Sequence, residues 1–191
     1  MPAENFQALE FLLTRRSRPA KTLAPPVPDR ATLRTLLTAA ARTPDHGKLE
    51  PWRFIVLERA ALVVLADRFA ECGARNAIEP EKIAKAEAEY RGAHLAVVVV
   101  SSPKPSDKIP EIEQVYSAGA VCLALLNAAL AAGWGANWIS GWMSHDAGIR
   151  AHLGLEEDER IAGLIHIGTE TTPPPERPRP DIDAITTWIT T

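Results

Sequence analysis

A basic cluster near the start of the sequence could bind an anion. Arg15, Arg16 and Ser17 are consecutive, with Arg18 and Lys21 close behind. Two forked guanidinium groups and a hydroxyl form a donor set that matches a phosphate or the carbonyl edge of a planar heterocycle. Taken alone, such a cluster is more often a solvated basic helix end that complements the helix dipole. A ligand can be inferred only if a second feature of the sequence agrees.

A second group of polar and aromatic residues follows in a predicted loop between a helix and a strand. Its members are Arg42, Asp45, His46, Pro51 and Trp52. The ring of His46 could hydrogen-bond to a ligand, although bracing of the loop explains this residue almost equally well. Trp52 is better explained as an anchor in the core, because apolar residues follow it in the predicted strand.

The other residues able to do chemistry lack the spacing of a catalytic or metal site. Four histidines lie outside the loop: His94, His145, His152 and His166. None belongs to an HExxH pattern, so we predict no metal site and interpret them as structural or exposed. Glu111 and Glu113 open a predicted helix, where carboxylates interact favourably with the positive end of the helix dipole. This role explains the two residues better than a general-acid pair does. Cys72 and Cys122 form no CxxC, which predicts no disulfide framework and suits a reducing cytosol.

Hydrophobic periodicity and capping signals place these residues on alternating helices and strands. The first predicted helix ends near Thr14, and the second spans 29–41 with Asp29 as its cap. Residues 59–91 are predicted to be helical in two pieces broken near Gly73. Two further helices are predicted, at 111–132 and at 146–153, the latter with Ser144 as its cap. The predicted strands span 53–58, 95–100, 136–140 and 161–167. The uninterrupted apolar run at 95–100 is typical of a strand covered on both faces. This alternation predicts a helix-flanked sheet in an α/β-type or α+β fold.

The composition predicts one globular domain over residues 1–191. The chain has 46% apolar and 24% charged residues and a net charge of −3, which gives no general attraction to nucleic acid or anionic membranes. The N-terminal segment carries an acidic residue and an amphipathic pattern, so we expect no signal peptide and a cytoplasmic location. The apolar segment 115–134 is rich in alanine, so we expect a helix buried in protein and suited to a dimer interface, and not a membrane span.

The order of several motifs resembles the nitroreductase family, in particular its short bacterial YdjA-like branch. The R-R-S of Arg15–Ser17 is followed by A-x-R-x-P-D-H-x-x-x-x-P-W-x-F, which begins at Ala40. The resemblance continues through Ser117–Gly119 (SAG), residues 133–141 (GWGANWISG) and residues 163–169 (GLIHIGT). Each motif is unspecific alone, but together they span nearly the whole chain in the family's order.

The resemblance implies an α+β fold of the nitroreductase type, with a central, mostly antiparallel sheet flanked by helices in three layers. It implies a homodimer with FMN shared at the subunit interface, and no nucleic-acid or membrane partner. The implied function is an FMN-dependent NAD(P)H oxidoreductase that reduces a small organic acceptor, such as a nitroaromatic or a quinone, by two-electron ping-pong transfer. NADH or NADPH would dock transiently, and the flavin would perform the chemistry without a catalytic side chain.

The resemblance also assigns residues to the flavin site. Arg15, Arg16 and Ser17 would hold the FMN phosphate and pyrimidine edge. Arg42 and His46 would reach the same flavin from the partner subunit. The other assigned residues are Trp138, Ile139 and Ser140 along the isoalloxazine ring, and Arg177 and Arg179 against the phosphate. The loop departs from the family pattern at Glu50, where a glutamine is common, and near Lys48, where an asparagine is common, so neither residue is assigned to the site.

Two other functions fit part of the sequence. A flavin-binding protein without turnover, acting as a sensor or store, would share every binding motif and lack only a productive acceptor pocket. A simple anion- or nucleotide-binding module would explain the basic cluster, but not the P-D-H and W-I-S segments together. The acceptor is left open, because one scaffold can serve many acceptors.

Overall fold

A five-stranded antiparallel sheet forms the centre of the computed structural model, which describes residues 3–190. Its strands are β1 (Leu23–Ala24), β2 (Trp52–Glu58), β3 (Leu95–Ser101), β4 (Gly135–Ile139) and β5 (Arg160–Glu170). Hydrogen bonds join them in the order β1-β5-β3-β2, and β4 also pairs with β5. All four pairings are antiparallel. β5 therefore pairs with three of the other four strands.

The described part of the chain also contains seven α-helices. They are α1 (Phe6–Thr14), α2 (Arg30–Ala40), α3 (Arg59–Asp67), α4 (Phe69–Arg75), α5 (Pro80–Gly92), α6 (Glu111–Ala131) and α7 (Ala147–His152). Helices α2 and α6 pack on one face of the sheet, while α3, α4, α5 and α7 cover the other. These three layers confirm the α+β fold predicted from the sequence.

β3 lies inside the sheet because both of its faces are apolar. All seven of its residues are buried. Leu95, Val97 and Val99 belong to the core with α2 and α6, whereas Ala96 and Val98 belong to the core with α3 to α5. Since side chains alternate between the two faces of a strand, an uninterrupted apolar run can be buried completely. The prediction of a strand covered on both faces is confirmed.

Several helix ends carry residues that favour them, and the first of these is the predicted cap Asp29. Asp29 caps α2, because its side chain accepts a 2.7 Å hydrogen bond from the backbone nitrogen of Thr32. Pro80 occupies the first turn of α5, where its missing N–H removes no helical hydrogen bond. Gly133 follows α6 with a φ of 84°, a left-handed conformation that glycine adopts without strain.

The prediction of two helical pieces broken near Gly73 is wrong. The structure has three helices between residues 59 and 92, and the first break falls at Arg68. Gly73 lies inside α4 and is buried. A Cβ atom at this position would overlap the side chain of Ile83 on α5. The glycine therefore permits a close approach of two helices and does not end one.

Two other boundaries differ from the predictions. Asp146, and not Ser144, caps α7, because its side chain accepts a 2.7 Å hydrogen bond from the backbone nitrogen of Ile149. β5 continues beyond Gly168 to Glu170, where it pairs with β1, a strand that the sequence did not predict. A two-residue strand is too short to show a period of its own.

The prediction that α6 is a helix buried in protein is only partly met within the single chain. Its inner face joins the core through Val121, Cys122 and Leu125. Its outer face leaves four apolar side chains exposed: Ile112, Val115, Tyr116 and Leu123. Within the described residues, α6 is the one helix long and apolar enough to span a membrane, a test that core helices also pass. It is a core helix with one uncovered apolar face.

Candidate functional site

The basic cluster begins where α1 ends. The backbone nitrogen of Arg15 donates to the carbonyl oxygen of Phe11 at 2.8 Å, and the ψ of 144° at Arg15 turns the following residues away from the helix. The backbone nitrogen of Arg18 then donates to the carbonyl oxygen of Ala136 at 2.8 Å. The R-R-S segment is therefore fixed beside the beginning of β4.

Side chains from both ends of the chain meet in this cluster. Arg15 Nη2 lies 3.1 Å from Ser17 Oγ. The carboxylate of Glu176 pairs with Arg16 Nη1 through one oxygen and with Arg179 Nη2 through the other, each at 3.1 Å. The Arg16 side chain is only 11% exposed, so its guanidinium group is largely shielded from water. The structure thus brings together four of the residues that the resemblance assigns to the phosphate.

The cluster carries more positive than negative charge. Burial lowers the pKa of Arg15, and three neighbouring guanidinium groups lower it further: those of Arg179, Arg18 and Arg16. The Nε atom of Arg15 is buried and has no hydrogen-bond partner in the described part of the chain. The opposing carboxylates are those of Glu170, paired with Arg18, and of Glu176. A phosphate group carries about two negative charges, so it matches this excess.

The three predicted ring-lining residues lie at the end of β4, the strand that Arg18 contacts. Trp138 is 37% exposed, Ile139 is half-buried, and Ser140 is exposed just beyond the strand, which was predicted to include it. Trp138 lies across Gly163 of β5, where a Cβ atom would overlap the indole nitrogen. Gly163 therefore gives the indole room against the sheet while leaving part of it open to solvent.

The loop that contains His46 is anchored to α6. His46 Nδ1 lies 2.7 Å from Glu113 Oε2. One turn further along α6, Ser117 Oγ donates to the carbonyl oxygen of Pro44 at 2.8 Å and accepts from Trp52 Nε1 at 3.2 Å. Trp52 is half-buried against the core, in line with its predicted role as an anchor. Both ends of the loop are therefore fixed to the same face of one helix.

Three residues of this loop have left-handed backbone conformations. The φ angle is 75° at Gly47, 55° at Lys48 and 49° at Glu50. Asp45 braces the turn, because its Oδ2 accepts a 2.7 Å hydrogen bond from the backbone nitrogen of Glu50. Non-glycine residues rarely adopt positive φ, and asparagine does so more readily than most. The two positions that depart from the family loop are thus the two that carry backbone strain.

In the single chain, the two groups of predicted residues are separate. No hydrogen bond or ion pair among residues 3–190 joins the His46 loop to the basic cluster. Arg42 is exposed. Within the same described range, neither its side chain nor that of Arg177 has a hydrogen-bond or ion-pair partner. The structure therefore groups Arg179 with the R-R-S segment and leaves Arg42 and His46 apart from it.

Two acidic residues of the site were missed by the sequence analysis. Glu113, interpreted as a helix-dipole carboxylate, pairs with His46. Its spacing of four residues from Ser117 places both on one helix face, and this signal could have been used. Glu176 bridges Arg16 and Arg179. Nothing in the spacing linked Glu176 to Arg16, because the contact joins opposite ends of the chain.

Comparison with known proteins identifies the family. The model of the nitroreductase family matches residues 12–169. The chain belongs to the nitroreductase family. A relative from Escherichia coli K12, named "Putative NAD(P)H nitroreductase YdjA", is 35% identical over 168 residues, which cover 86% of this chain and 88% of the relative. The family membership predicted from the motifs is confirmed.

Solved structures share the nitroreductase fold at lower sequence identity. A nitroreductase-like family protein from Bacillus cereus superimposes with a TM-score of 0.81 at 23% identity, covering 99% of this chain and 98% of that one. A nitroreductase with bound FMN from Bacteroides fragilis gives a TM-score of 0.75 at 20% identity, covering 98% of this chain and 100% of that one. Both confirm the predicted nitroreductase fold.

Proposed function

We propose that this nitroreductase-family protein is an FMN-dependent NAD(P)H oxidoreductase that reduces a small organic acceptor, such as a nitroaromatic or a quinone. Two-electron transfer would follow a ping-pong scheme. The observation that carries the proposal is the basic cluster, in which four guanidinium groups meet two carboxylates. A phosphate would complete this cluster with charge and hydrogen-bond acceptors. The Escherichia coli relative is named as an NAD(P)H nitroreductase, and the Bacteroides fragilis nitroreductase was solved with bound FMN, which supports the proposed reductant and cofactor.

The proposed phosphate and pyrimidine site is built around Arg16. Its guanidinium group is the best shielded of those in an ion pair within the cluster, and charge-assisted hydrogen bonds are strongest where water is excluded. The residues proposed for this part of the site are Arg15, Arg16, Ser17, Arg177 and Arg179. Arg15 adds a buried donor, its Nε atom, that has no hydrogen-bond partner among residues 3–190. These residues would fix one end of the cofactor.

The end of β4 is the proposed support for the flavin ring. Trp138, Ile139 and Ser140 would line the ring, with Trp138 held in place over Gly163. When bound, FMN supplies the transfer of electron pairs between nicotinamide and acceptor. The arginine cluster would stabilise negative charge on the cofactor, and the apolar lining would exclude water from its face. No protein side chain is proposed as a nucleophile.

We also propose that two copies of the chain form a homodimer. α1 has no buried residue, and a helix of nine residues is not stable without a packing partner. Exposed apolar residues occur in α1 and in the C-terminal tail: Phe6, Leu9, Leu12, Leu13, Ile182, Ile185, Trp188 and Ile189. Together with the outer face of α6, these patches are typical of an interaction surface. A second copy would cover equivalent patches on both chains at once.

The dimer would explain why Arg42 and His46 lie apart from the basic cluster of their own chain. His46 pairs with Glu113 at the N-terminal end of α6, where Ile112 and Tyr116 are exposed. A second copy seated on this face of α6 would approach the His46 loop directly. We propose that Arg42 and His46 contact the flavin held by the partner subunit.

Loading with flavin tests the cofactor site. The purified protein is incubated with FMN, desalted, and mixed anaerobically with NADH or NADPH, and we expect retained visible bands that bleach. Arg16→Ala should weaken FMN binding at least about tenfold, on the order of 1.4 kcal/mol, because it removes charged hydrogen bonds. Arg68→Ala is the matched control, since Arg68 is exposed at the junction of α3 and α4. It should bind FMN like the wild type.

The outcomes of this experiment separate the candidate functions. Bands that are retained but do not bleach with either nucleotide would favour a non-catalytic flavin-binding or sensing protein. A protein that cannot be loaded with FMN would contradict the proposal. Equal FMN affinities for Arg16→Ala and Arg68→Ala would contradict the role of Arg16 alone.

Light scattering during size-exclusion chromatography tests the homodimer. Tyr116→Glu places a charge on the outer face of α6 and should convert dimers into monomers. Val64→Glu is the matched control, because Val64 is an exposed apolar residue of α3 on the other side of the sheet. It should leave the dimer intact. A monomeric wild type, or a dimeric Tyr116→Glu variant, would contradict the proposed interface.

A further inference from the structure

The contact between His46 and Glu113 gives the His46 ring a defined orientation. Its Nδ1 atom lies 2.7 Å from Oε2 of Glu113, which is 67 residues further along the chain. The two side chains are 65% and 46% exposed. Pairs as exposed as this one contribute little to folding stability. The contact is therefore better explained by an effect on His46 itself than by stability.

The backbone of the loop does not depend on Glu113. Ser117 holds the loop at Pro44 and Trp52, and Asp45 braces the turn between these points. All of these contacts would persist if the Glu113 side chain were removed. What Glu113 adds is a fixed direction for the imidazole ring of His46.

The chemistry of the contact determines which nitrogen of His46 can meet a ligand. An ionised carboxylate only accepts hydrogen bonds, so the contact requires a proton on Nδ1. In the neutral ring this leaves Nε2 as an acceptor, on the edge that points away from Glu113. The partner of one ring nitrogen thus sets what the other nitrogen offers.

We infer that Glu113 is a positioning residue that fixes the His46 ring so that Nε2 faces the flavin of the partner subunit. The inference rests on the proposed function, which gives His46 a ligand to contact. A side chain whose orientation is set by a second group loses less conformational freedom when it binds. Glu113 thereby strengthens flavin binding without touching the flavin.

Glu111 separates this role from a general effect of acidic residues on the helix. Both carboxylates lie in the first turn of α6, and both interact favourably with the positive end of its dipole. Glu111 is exposed, and its side chain has no hydrogen-bond or ion-pair partner in the described part of the chain. It is therefore a matched control for Glu113.

The direct test is the tautomer of His46 in flavin-free protein. Nitrogen NMR of the histidine rings is recorded at a pH where the ring is neutral, with His46→Gln to assign the signal. The wild type should carry the proton on Nδ1, and Glu113→Ala should populate the form protonated on Nε2. Glu113→Gln should restore the Nδ1 proton, because an amide oxygen can accept the same hydrogen bond. Glu111→Ala should match the wild type, and identical tautomers in the wild type and Glu113→Ala would overturn the inference.

Titration with FMN tests the consequence for the cofactor. Glu113→Ala should weaken FMN binding by about three- to fivefold, while Glu113→Gln and Glu111→Ala stay within about twofold of the wild type. In a His46→Ala background, Glu113→Ala should change the affinity no further, because no ring is left to position. An equal loss in both backgrounds would mean that Glu113 acts through the helix and would overturn the inference. A wild type that binds no FMN would contradict the proposed function, and the tautomers would still decide the role of Glu113.

Discussion

The two sides of the sheet differ in how completely one chain buries them. On the side of α3 to α5, the core is closed, and Leu62, Leu65, Phe69 and Tyr90 are at most 1% exposed. On the side of α6, the inner face is equally buried, but the outer face leaves side chains such as Leu123 at 44% exposure. On the first side, that of α3 to α5, a single chain therefore buries the core without a partner. The second side leaves apolar surface uncovered, and the loop that contains His46 is anchored to it through Glu113 and Ser117 of α6.

The largest expected effect comes from truncating a buried leucine on the first side, compared with an exposed leucine on the second. Leu65→Ala should lower the free energy of unfolding by about 3 kcal/mol, because it leaves a cavity in a closed core. Leu123→Ala should cost less than about 1 kcal/mol in dilute protein, because Leu123 is already exposed there. Urea unfolding at two protein concentrations measures both. Equal losses of stability in the two variants at the lower concentration would contradict the difference in burial between the two sides.

The buried histidine on the first side of the sheet, His166, should make the stability of the fold depend on pH. Burial lowers the pKa of His166 to about 4, whereas a histidine in an unfolded chain titrates near 6.5. The unfolded state therefore binds more protons between these values, and stability falls as the pH drops from about 6.5 to 4. The expected loss is on the order of 3 kcal/mol. His166→Leu should remove most of this slope, as measured by urea unfolding across the window.

A second titration provides the control for His166. Hydrogen bonds from Arg53 lower the pKa of Glu159 to about 2. Its contribution is present above the unfolded value near 4.3 and is lost as the pH falls toward 2. The His166→Leu variant should therefore keep its acid sensitivity below about pH 4. A variant whose pH slope between 5 and 6.5 matched the wild type would show that another group is responsible.

The smallest expected effect tests the strained loop on the second side. Lys48→Gly should raise stability by up to about 1 kcal/mol, because a left-handed conformation is costly for lysine and free for glycine. Lys108→Gly is the matched control, since Lys108 is an exposed loop residue without positive φ. Added backbone freedom in the unfolded chain should make that variant neutral or less stable. Thermal unfolding of both variants measures the sign, and equal signs would contradict strain at Lys48.

Local patterns predicted most of the fold. The apolar run of β3 and the Asp29 cap each depend on a few neighbouring residues, and both were predicted correctly. Gly73 was misinterpreted because a glycine that ends a helix and one that admits a neighbouring helix look alike in sequence. Only the position of Ile83 across the helix pair distinguishes the two.

The candidate site was predicted less completely, because its contacts are distant in sequence. The R-R-S segment could be placed after a helix, and the structure does place it there. The approach of Glu176 and Arg179 depends on how β5 directs the tail back toward α1, which no periodicity encodes. The pair of His46 and Glu113 likewise joins two segments through tertiary packing.

The contact between Trp138 and Gly163 bears on attempts to engineer the protein. The indole occupies space that any side chain at position 163 would fill. In a library that randomises β4 to change the accepted substrates, large side chains at position 138 would therefore be compatible with the fold only if position 163 remains glycine. Smaller residues at position 138 would relax that restriction, so the two positions should be varied together, as one unit of selection.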